Sequence, residues 1–492
     1  MRPRALHIAL ALAAMLVAPT AAAAQLPGVP IVPIPGDPVA GGTARFTGHP
    51  AEPRAVRPPP VPRHPFMAPN GRSNIHNDAY MTDVYRDLEG PLGRGTTTDS
   101  TLFARECGSI TFDSRDRIVT ICVGVDRPVL ALLDPRTFEV LAALDLPPRN
   151  VAGGDIFTDF SGGGYFYLDD RDRAVIPTTS RHVLIVGHTG SGFEVRHDHD
   201  LTGKVPAGDE IISVLPDWKG RIWFATREGR VGWIAPDTGT ISSRALGEQI
   251  GNSFAVDERG GVFIVSDAAL YRFEARGGTP RTMWRHVYEN IGSKKPGQTQ
   301  AGSGTTPTLM GRRYVSITDN ADPMRVVVLK RRRRVEGKRV VCRRAVFEEG
   351  ASATDQSLIG TRRSVVVENN HGYAGPTAVM RGSTTTPGLE RITVKRDRRG
   401  CRTVWRSEAT APSVVPKLAA RSGLVFTYTK PPSAQGEDPW YFTALDYRTG
   451  VTVYRRLAGA GLGFNNNYAP VTIGPDDTSY VGVLGGLTQF HD

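Results

Sequence analysis

Carboxylate, amide and phenol side chains cluster at two kinds of position in this sequence. They follow short β-rich segments, or they precede the next apolar segment. The side chains are Asp267; Asp319 and Asn320; Asp355; Glu368, Asn369, Asn370, His371 and Tyr373; and Asn466, Asn467 and Tyr468. Their carboxylate and amide oxygens are hard donors of the kind that bind Ca²⁺. With the two tyrosines they would equally suit a hydroxyl-rich ligand.

The same residues also have a purely structural interpretation, because Asp and Asn are ordinary turn residues. If a metal ion binds, the candidate ligands are Asp319, Glu368 and Asn369. No Ser-His-Asp or Cys-His arrangement stands out from the other histidines and carboxylates. The sequence therefore nominates binding residues and assigns no catalytic residue.

The polar positions recur because one strand–turn–strand pattern repeats eight times. Its second strand is predicted at Ile118–Cys122, Ala174–Thr178, Ile222–Thr226, Val262–Ser266, Tyr314–Thr318, Ser364–Glu368, Leu424–Tyr428 and Tyr480–Leu484. A repeat of about 40–60 residues built of four short strands is typical of a β-propeller blade. We predict an all-β fold with a single propeller over residues 65–492. Eight blades are expected, or seven if residues 150–202 hold one distorted blade.

Closure of the ring requires a strand from the other end of the domain. The last repeat ends soon after Phe490, before a fourth strand can form. The segment Thr97–Glu106 is predicted to supply that strand, so that N- and C-terminal strands pair and no open edge remains. The loops on one face of such a ring surround the central channel, and this places the polar side chains on the channel face.

Three turns resemble the Leu-Asp-x-x-Thr-Gly turn of quinoprotein-type propeller repeats. They lie in Leu132–Val140, Ile234–Gly239 and Ala444–Val453, and their Asp is expected to accept backbone N–H bonds. The resemblance implies eight blades. It does not extend to the cofactor, because quinoprotein alcohol dehydrogenases carry two adjacent cysteines beside it. This chain has no adjacent cysteines and no Cys-x-x-Cys-His haem site, which disfavours a quinone-dependent oxidoreductase.

The polar channel face is also similar to that of gluconolactonase-like, calcium-centred propeller hydrolases, which usually have six blades. No ligand set matches theirs residue by residue. The similarity therefore implies a Ca²⁺-dependent, lactonase-like hydrolase or lyase by analogy only.

The N-terminus is predicted to direct export. Residues 1–24 have the form of a signal peptide, with Arg2 and Arg4 before the apolar segment Ile8–Ala18 and small residues at Ala22–Ala24. Residues 25–64 are proline-rich and are predicted to be a disordered linker. Residues 65–96 are expected to pack on the ring as an extension. No later segment approaches the ~20 apolar residues of a membrane span, so a secreted or cell-envelope protein is expected.

The net charge is +11, and much of it lies in two arginine-rich segments, Lys330–Arg344 and Lys395–Arg402. Both are expected at outer hairpins of consecutive blades. Arg331–Arg334 and Arg396–Arg399 could therefore bind an anionic polymer. The alternative is that these charges protect outer strands from edge-to-edge aggregation.

The four cysteines are predicted to form two disulfides, which an exported location permits. Cys107 and Cys122 are equidistant from the predicted turn Asp113–Asp116, which makes them cross-strand neighbours. Cys342 and Cys401 occupy matching places in two neighbouring outer strands. No Cys-x-x-Cys spacing points to a metal site.

Three further motifs have a functional and a structural interpretation. His197–Asp200 could bind a metal through two imidazoles on one face of a strand, or form a solvated outer edge. Asn74–Asp83 could cap the channel or pin the linker to the ring. Gly459–Gly463 imitates a phosphate loop, but no helix pattern follows it, so a tight connection is expected.

Taken together, these patterns predict a secreted, non-redox β-propeller that binds a small molecule or a cell-envelope partner on its polar channel face. A Ca²⁺-dependent hydrolase or lyase is the alternative.

Overall fold

The computed structural model describes residues 34–103, 105–124, 127–149, 157–159, 161–189 and 192–492. These residues form β-strands and two short 3₁₀ helices, Pro376–Val379 and Leu462–Phe464. The predicted signal peptide lies outside them. Within the described ranges, no helix is long and apolar enough to cross a membrane.

The strands form eight sheets, arranged in chain order as the blades of a propeller. Before the first blade come β1 (Phe46–Gly48), β2 (Val84–Tyr85) and β3 (Thr97–Leu102). Blades 1 and 2 consist of β4 (Glu106–Phe112), β5 (Ile118–Val123), β6 (Pro128–Leu133) and β7 (Val140–Asp145), then β8 (Tyr167–Leu168), β9 (Ala174–Pro177), β10 (His182–Thr189) and β11 (Gly192–Asp200). Blades 3 and 4 consist of β12 (Ile211–Pro216), β13 (Ile222–Thr226), β14 (Arg230–Ile234) and β15 (Ile241–Ala245), then β16 (Ala255–Val256), β17 (Val262–Val265), β18 (Ala269–Arg276) and β19 (Thr279–Val287).

The second half of the ring repeats this plan. Blades 5 and 6 consist of β20 (Thr308–Met310), β21 (Tyr314–Thr318), β22 (Arg325–Lys330) and β23 (Val340–Ala345), then β24 (Ile359–Gly360), β25 (Ser364–Glu368), β26 (Leu389–Val394) and β27 (Cys401–Ser407). Blades 7 and 8 consist of β28 (Lys417–Ala419), β29 (Leu424–Thr429), β30 (Pro439–Asp446) and β31 (Thr452–Ala460), then β32 (Val471–Ile473), β33 (Ser479–Val483), β34 (Gly486–His491) and the returning β3.

The all-β prediction and the count of eight blades are confirmed. The second strand of every blade lies within one residue of its predicted bounds. Strands β8 to β11 form one four-stranded blade, which decides between eight blades and seven. The hydrophobic core lies between the blades, where second and third strands such as β13 and β30 are almost wholly buried.

The hairpin between the first and second strands is built on an Asp that recurs in blades 1, 2 and 3. In blade 1, Asp113 Oδ1 accepts the backbone N–H groups of Arg115 and Arg117, both at 2.9 Å. The Arg117 guanidinium then donates to Asp113 Oδ2 at 2.8 Å. Asp169 and Asp217 repeat this arrangement with the arginine four residues later. The aspartate thus fixes the turn and also orients the arginine.

The turns that carry the quinoprotein resemblance join the third strand to the fourth. Asp134 Oδ1 accepts the backbone N–H groups of Arg136 and Thr137 at 2.9 and 2.8 Å. Asp446 does the same for Arg448 and Thr449. In two of the three turns the Asp therefore has the predicted role, which is structural; within the described chain, no such bond is formed by Asp237 in the turn Ile234–Gly239.

The ring closes through the chain ends, as predicted. Strand β3 pairs antiparallel with β34, from Thr97 opposite His491 to Leu102 opposite Gly486. The closing strand is shorter than the predicted Thr97–Glu106, because Glu106 already belongs to β4. The Asp492 carboxylate also accepts the backbone N–H groups of Leu92 and Gly93 at 2.6 and 3.1 Å.

Both predicted disulfides are present. Cys107 and Cys122 face each other across β4 and β5, with their Cα atoms 4.0 Å apart. Cys342 on β23 and Cys401 on β27 join the outer strands of blades 5 and 6, with a Cα–Cα distance of 5.8 Å. The second bond links blades at the rim, where sheets diverge.

Replacing Cys342 and Cys401 together with alanine is expected to lower the free energy of unfolding by about 2–4 kcal/mol, since the bond restricts a long loop of the unfolded chain. Urea unfolding followed by tryptophan fluorescence measures the change. The Cys107→Ala/Cys122→Ala variant keeps only the Cys342–Cys401 bond and is the matched control. Its reduction should lower the free energy of unfolding by the same amount. An unchanged urea midpoint in both experiments would contradict the expectation.

Residues 34–64 differ from the predicted disordered linker. They run along blade 7 and across the turns at the ends of the inner strands, with β1 paired to β31. Backbone N–H groups of Ala51, Arg54 and Val56 each donate at 2.7 Å to carbonyl oxygens of the folded chain. A proline-rich extended segment makes no internal hydrogen bonds and loses little entropy on ordering. Its backbone N–H and C=O groups are therefore free to form hydrogen bonds with the ring.

The motifs Gly459–Gly463 and His197–Asp200 lie at a tight chain contact and on an outer strand, respectively. Gly463 and Gly461 allow the close approach of residues 34–37, since a Cβ at Gly463 would lie 2.7 Å from the Ile34 carbonyl oxygen. His197–Asp200 lies on β11, the outer strand of blade 2. There the rings of His197 and His199 stack with centroids 6.2 Å apart.

Candidate functional site in the channel

Residues 68–85 line the channel from inside and close one of its ends. Backbone bonds join this segment to the inner strands of successive blades: Val256 N–H donates to the Ala79 carbonyl at 2.9 Å, Leu309 N–H to Tyr80 at 2.9 Å, and Gly360 N–H to Thr82 at 2.8 Å. Strand β2 then pairs parallel with β28. The segment lies toward the ends of the inner strands and leaves the other end of the channel open.

A cavity occupies that open end, where the inner strands begin. Its empty volume is about 1110 Å³, including open solvent at the mouth. Apolar residues from the strands and from the N-terminal segment form part of the wall. The polar lining comprises His76, Glu106, Ser109, Arg149, Asp159, Tyr165, Asn252, Thr306, Asp355, Gln356, Ser357, Asn467 and Tyr468.

Two carboxyl groups of this cavity have pKa values near neutrality. Glu106 is the first residue of β4, and burial raises its pKa to about 8 against the lowering effects of Asn467 and Arg149. Asp355 precedes β24, and burial raises its pKa to about 7. Among the described residues, Asp355 Oδ1 is buried without a hydrogen-bond partner. Carboxyl groups with such pKa values can donate or accept a proton at ambient pH.

A buried ionic cluster forms the floor of the cavity. His76 Nδ1 lies 3.1 Å from Asp83 Oδ1 and 3.0 Å from Ser357 Oγ. Lys417 Nζ donates to the Asp83 carboxylate and, at 2.5 Å, to the Ile75 carbonyl oxygen. Burial alone would raise the pKa of Asp83, but Lys417 and His76 lower it below its ordinary value. Asp83 is therefore an ionised carboxylate that orients the Lys417 ammonium and the His76 ring.

The cluster is not a catalytic triad. Asp83 and Ser357 both contact Nδ1 of His76, whereas a triad places its aspartate and serine on different ring nitrogens. Among the described residues, His76 Nε2 is buried without a partner. The structure thus combines the two predicted roles of Asn74–Asp83, because the segment is pinned to the ring and also forms the floor.

Tyrosine and asparagine side chains from two loops form one wall. The Tyr373 hydroxyl lies 2.9 Å from Asn465 Oδ1 and 3.1 Å from Asn467 Oδ1. Its ring packs edge-on against Tyr468, with centroids 5.3 Å apart. Asn467 and Tyr468 reach the cavity, while the buried Tyr373 supports them from behind. The structure therefore brings these predicted residues together with Asp355 at one site.

The other predicted residues of this region, Glu368–His371, bond to each other and to neighbouring loops. Asn370 Nδ2 donates to Glu368 Oε1 at 2.8 Å. Asn369 Oδ1 accepts the N–H of Ala353 at 3.2 Å. His371 Nδ1 lies 3.1 Å from Thr386 Oγ1. None of them belongs to the described lining of the cavity.

Asp267, Asp319, Asn320 and Asn466 also lie outside that lining. Asp319 Oδ1 accepts the N–H of Arg325 at 2.8 Å, and burial raises the Asp319 pKa to about 6. Burial raises the pKa of Asp267 as well. Asn320 and Asn466 donate to neighbouring loop oxygens. These side chains shape the loops around the mouth.

The candidate calcium ligands Asp319, Glu368 and Asn369 follow the second strands of two different blades. In the part of the chain that the structure describes, no group of three or more His, Cys, Asp or Glu side chains could hold a metal ion. Calcium binding at these three residues stays a prediction, and no chemical step is derived from it.

The sequence argument did not single out Glu106, Arg149, Asp159 or Tyr165. Glu106 begins the inner strand β4, next to the position covered by the rule used for Asp355, so it could have been found. Arg149 and Asp159 could not, because no local pattern reports their 3.3 Å ion pair.

The arginine-rich hairpins lie where the sequence predicts, after the third strands of blades 5 and 6. Arg331 nevertheless departs from the expected exposed run. It is only 2% exposed and pairs with Asp257 at 3.3 Å and with Glu258 at 3.2 Å. Arg331 is therefore a buried anchor, unlike the exposed Arg332 and Arg334.

The comparisons with known proteins describe a fold. No family model matches the sequence. The chain is 28% identical over 362 residues to an uncharacterized protein of Archaeoglobus fulgidus, which covers 66% of this chain and 70% of that protein. A europium-containing methanol dehydrogenase aligns with a TM-score of 0.47 and 12% identity, covering 83% of this chain and 88% of that chain. BamB from Moraxella catarrhalis aligns with a TM-score of 0.42 and 13% identity, covering 65% and 93%. In its eight-bladed architecture, the chain resembles quinoprotein-like propellers.

Proposed function

We propose that this protein is an exported, non-redox β-propeller that binds a small hydroxyl-rich molecule in the channel cavity. The observation that carries the proposal is a channel closed at one end and open at the other, with amide, phenol and carboxyl groups converging on the open cavity. Concave sites with a few convergent polar groups are the usual form of small-molecule sites.

The polar groups of the cavity are held in place before any ligand arrives. Tyr165 O–H donates to Asn252 Oδ1 at 2.9 Å, and Tyr373 holds Asn467. Apolar residues such as Ile121 and Val415 complete the wall. Fixed amide dipoles beside apolar surface suit a sugar-like molecule, whose hydroxyls need partners and whose carbon face needs contact. Preorganisation lowers the entropy cost of binding.

Export is supported by the two disulfides, which persist in oxidising compartments, and by the predicted signal peptide. A site in the cell envelope or outside the cell follows from this proposal. The non-redox character rests on the separate pairing of all four cysteines, which leaves no adjacent pair of the quinoprotein kind.

Replacing Val123 with tryptophan is expected to abolish saccharide binding, because Val123 lines the cavity and an indole would fill it. Glucose, maltose and gluconate serve as probes, with binding measured by calorimetry and by thermal shift. Val451→Trp makes the same change at a turn residue that is 64% exposed, and it should leave binding intact. Equal affinities of the two variants, or no shift above about 1 °C with any probe at saturating concentration, would refute the proposal.

A hydrolase or lyase of the lactonase-like kind is the second candidate. It is favoured by Glu106 and Asp355, whose pKa values of about 8 and 7 suit general acid–base chemistry in one cavity. Hydrolysis of glucono-1,5-lactone above the spontaneous rate, followed by pH-stat titration and lost in Glu106→Gln, would establish it. Saccharide binding without turnover would support the binding function and reject the hydrolase or lyase.

A further inference from the structure

A second, strongly basic pocket lies between blades 4 and 5, on the face opposite the channel mouth. Its empty volume is about 900 Å³, including open solvent. Seven arginines line it: Arg259, Arg272, Arg312 and the four consecutive residues Arg331–Arg334. Only two carboxylates, Asp257 and Glu274, share the lining. Such an excess of guanidinium groups in a concave site favours anions.

The base of the pocket is built from buried arginines. Arg272 is 3% exposed and pairs with Glu274 at 3.1 Å and with Asp257 at 3.7 Å. Its Nε has no hydrogen-bond partner among the described residues. Arg331 lies beside it and shares Asp257. A Cβ at Gly261 would lie 2.4 Å from Arg272 Nε, so the glycine makes room for this guanidinium.

The carboxylates do not neutralise Arg272 fully. Burial lowers the pKa of Arg272, and Arg331 and Arg333 lower it further against the raising effects of Asp257 and Glu274. Within the described chain, the side chains of Arg312 and Arg332–Arg334 have no carboxylate partner. Bound anionic groups would relieve this repulsion.

The loop that carries the exposed arginines is held in shape. Arg339 donates to the carbonyl oxygens of Lys330 at 2.9 Å, Arg332 at 2.7 Å and Arg333 at 3.3 Å. Its guanidinium stacks on Trp284, 4.5 Å from the ring centroid. The backbone of Arg332–Arg334 is thus fixed before binding, which reduces the entropy cost of gathering several guanidinium groups around one ligand.

We propose that this pocket binds a ligand with two or more closely spaced phosphate groups, an oligophosphate. The planar guanidinium fork matches phosphate oxygens bidentately. A ligand with a single carboxylate would leave most of the four arginines that lack a carboxylate partner among the described residues, Arg312 and Arg332–Arg334, without a counter-charge. Residues from two blades enclose the pocket, whereas a linear polymer would be expected to follow an exposed ridge. The site is separate from the channel cavity and independent of what binds there.

The test measures binding of tripolyphosphate, pyrophosphate and orthophosphate to the full chain by calorimetry. Tripolyphosphate is expected to bind at least about tenfold more tightly than orthophosphate, since each added bidentate contact strengthens binding. The variant Arg332→Ala/Arg333→Ala/Arg334→Ala should weaken tripolyphosphate binding at least about tenfold. The matched control Arg396→Ala/Arg398→Ala/Arg399→Ala removes the same charge from the hairpin of blade 6 and should change it less than about twofold.

Equal loss in both variants would show general charge attraction and would overturn the proposal. Absence of binding to the unmodified chain at about 0.1 M salt would do the same. Co-sedimentation with vesicles distinguishes the sources of phosphate. Retention on vesicles that contain phosphatidylinositol bisphosphate but not on phosphatidylcholine, lost in the Arg332–Arg334 variant, would assign the phosphates to a lipid surface. Binding of tripolyphosphate in solution without retention on any vesicle would assign the phosphates to a free oligophosphate.

Discussion

Replacing Lys417 with methionine is expected to lower the free energy of unfolding by about 3–5 kcal/mol, the usual cost of removing one partner of a buried ion pair. Lys417 and Asp83 are both fully buried, so the substitution leaves the carboxylate without its ammonium in a site that water does not reach. The same ammonium holds the Ile75 carbonyl oxygen. Segment 72–85 should therefore loosen from the channel. Urea unfolding measures the stability, and limited trypsin digestion measures cleavage at Arg72 and Arg86.

The double variant Lys417→Met/Asp83→Asn should recover most of the loss, because it removes the unpaired charge. Lys430→Met is the matched control. Lys430 is also fully buried and pairs with Asp438 at 2.9 Å, but it does not contact segment 72–85. Its substitution should destabilise the ring without promoting cleavage at Arg72. Faster cleavage there in both variants would show that Lys417 has no special role in holding the segment.

Replacing Asp355 with asparagine is expected to stabilise the protein at pH 8 and to leave its stability unchanged near pH 4. Burial raises the pKa of Asp355 from 3.8 to about 7. Between these values the folded chain binds a proton that the unfolded chain has lost, so the stability of the unmodified protein falls as pH rises through this window. A shift of this size corresponds to about 4 kcal/mol. Asparagine stays neutral and avoids that cost.

Urea unfolding at pH 4, 6 and 8 tests this, with the difference between variant and unmodified chain growing from pH 4 to pH 8. Asp87→Asn makes the same chemical change at a side chain that is 87% exposed, and it should show no such growth. A constant difference across the three pH values would mean that Asp355 titrates normally. Stabilisation with loss of ligand binding would place the carboxyl at a functional site, where stability is often sacrificed.

Local patterns were sufficient to predict the ring. The eight second strands, the Asp-based turns, the closing strand and the Cys107–Cys122 bond depend on alternation, turn chemistry and register within one hairpin or between matching repeats. Each of these relations is short-range or periodic along the chain. The positional rule for polar residues before inner strands also located Asp355, Asn467 and Tyr468 at the cavity.

Composition led to predictions for residues 34–64 and for Arg331 that differ from the structure. A proline-rich segment looks disordered when its own apolar content is counted, but its stability comes from hydrogen bonds to ring carbonyls far along the chain. Arg331 looked like one exposed cation among five. Its burial depends on Asp257 and Glu258 in the preceding blade, and no local pattern reports that proximity.

The sequence by itself therefore determined a propeller of eight or seven blades, its closure and the positions of the polar loops, because repeats and hairpins are encoded by neighbouring residues. The structure decided for eight blades. Only the tertiary structure decided which of those residues share a site. The channel floor joins His76 and Asp83 to Lys417, more than 300 residues away, and the basic pocket joins Arg272 to Arg331. Such contacts arise from ring closure and from the path of the N-terminal segment, and their energies depend on burial that only the folded chain creates.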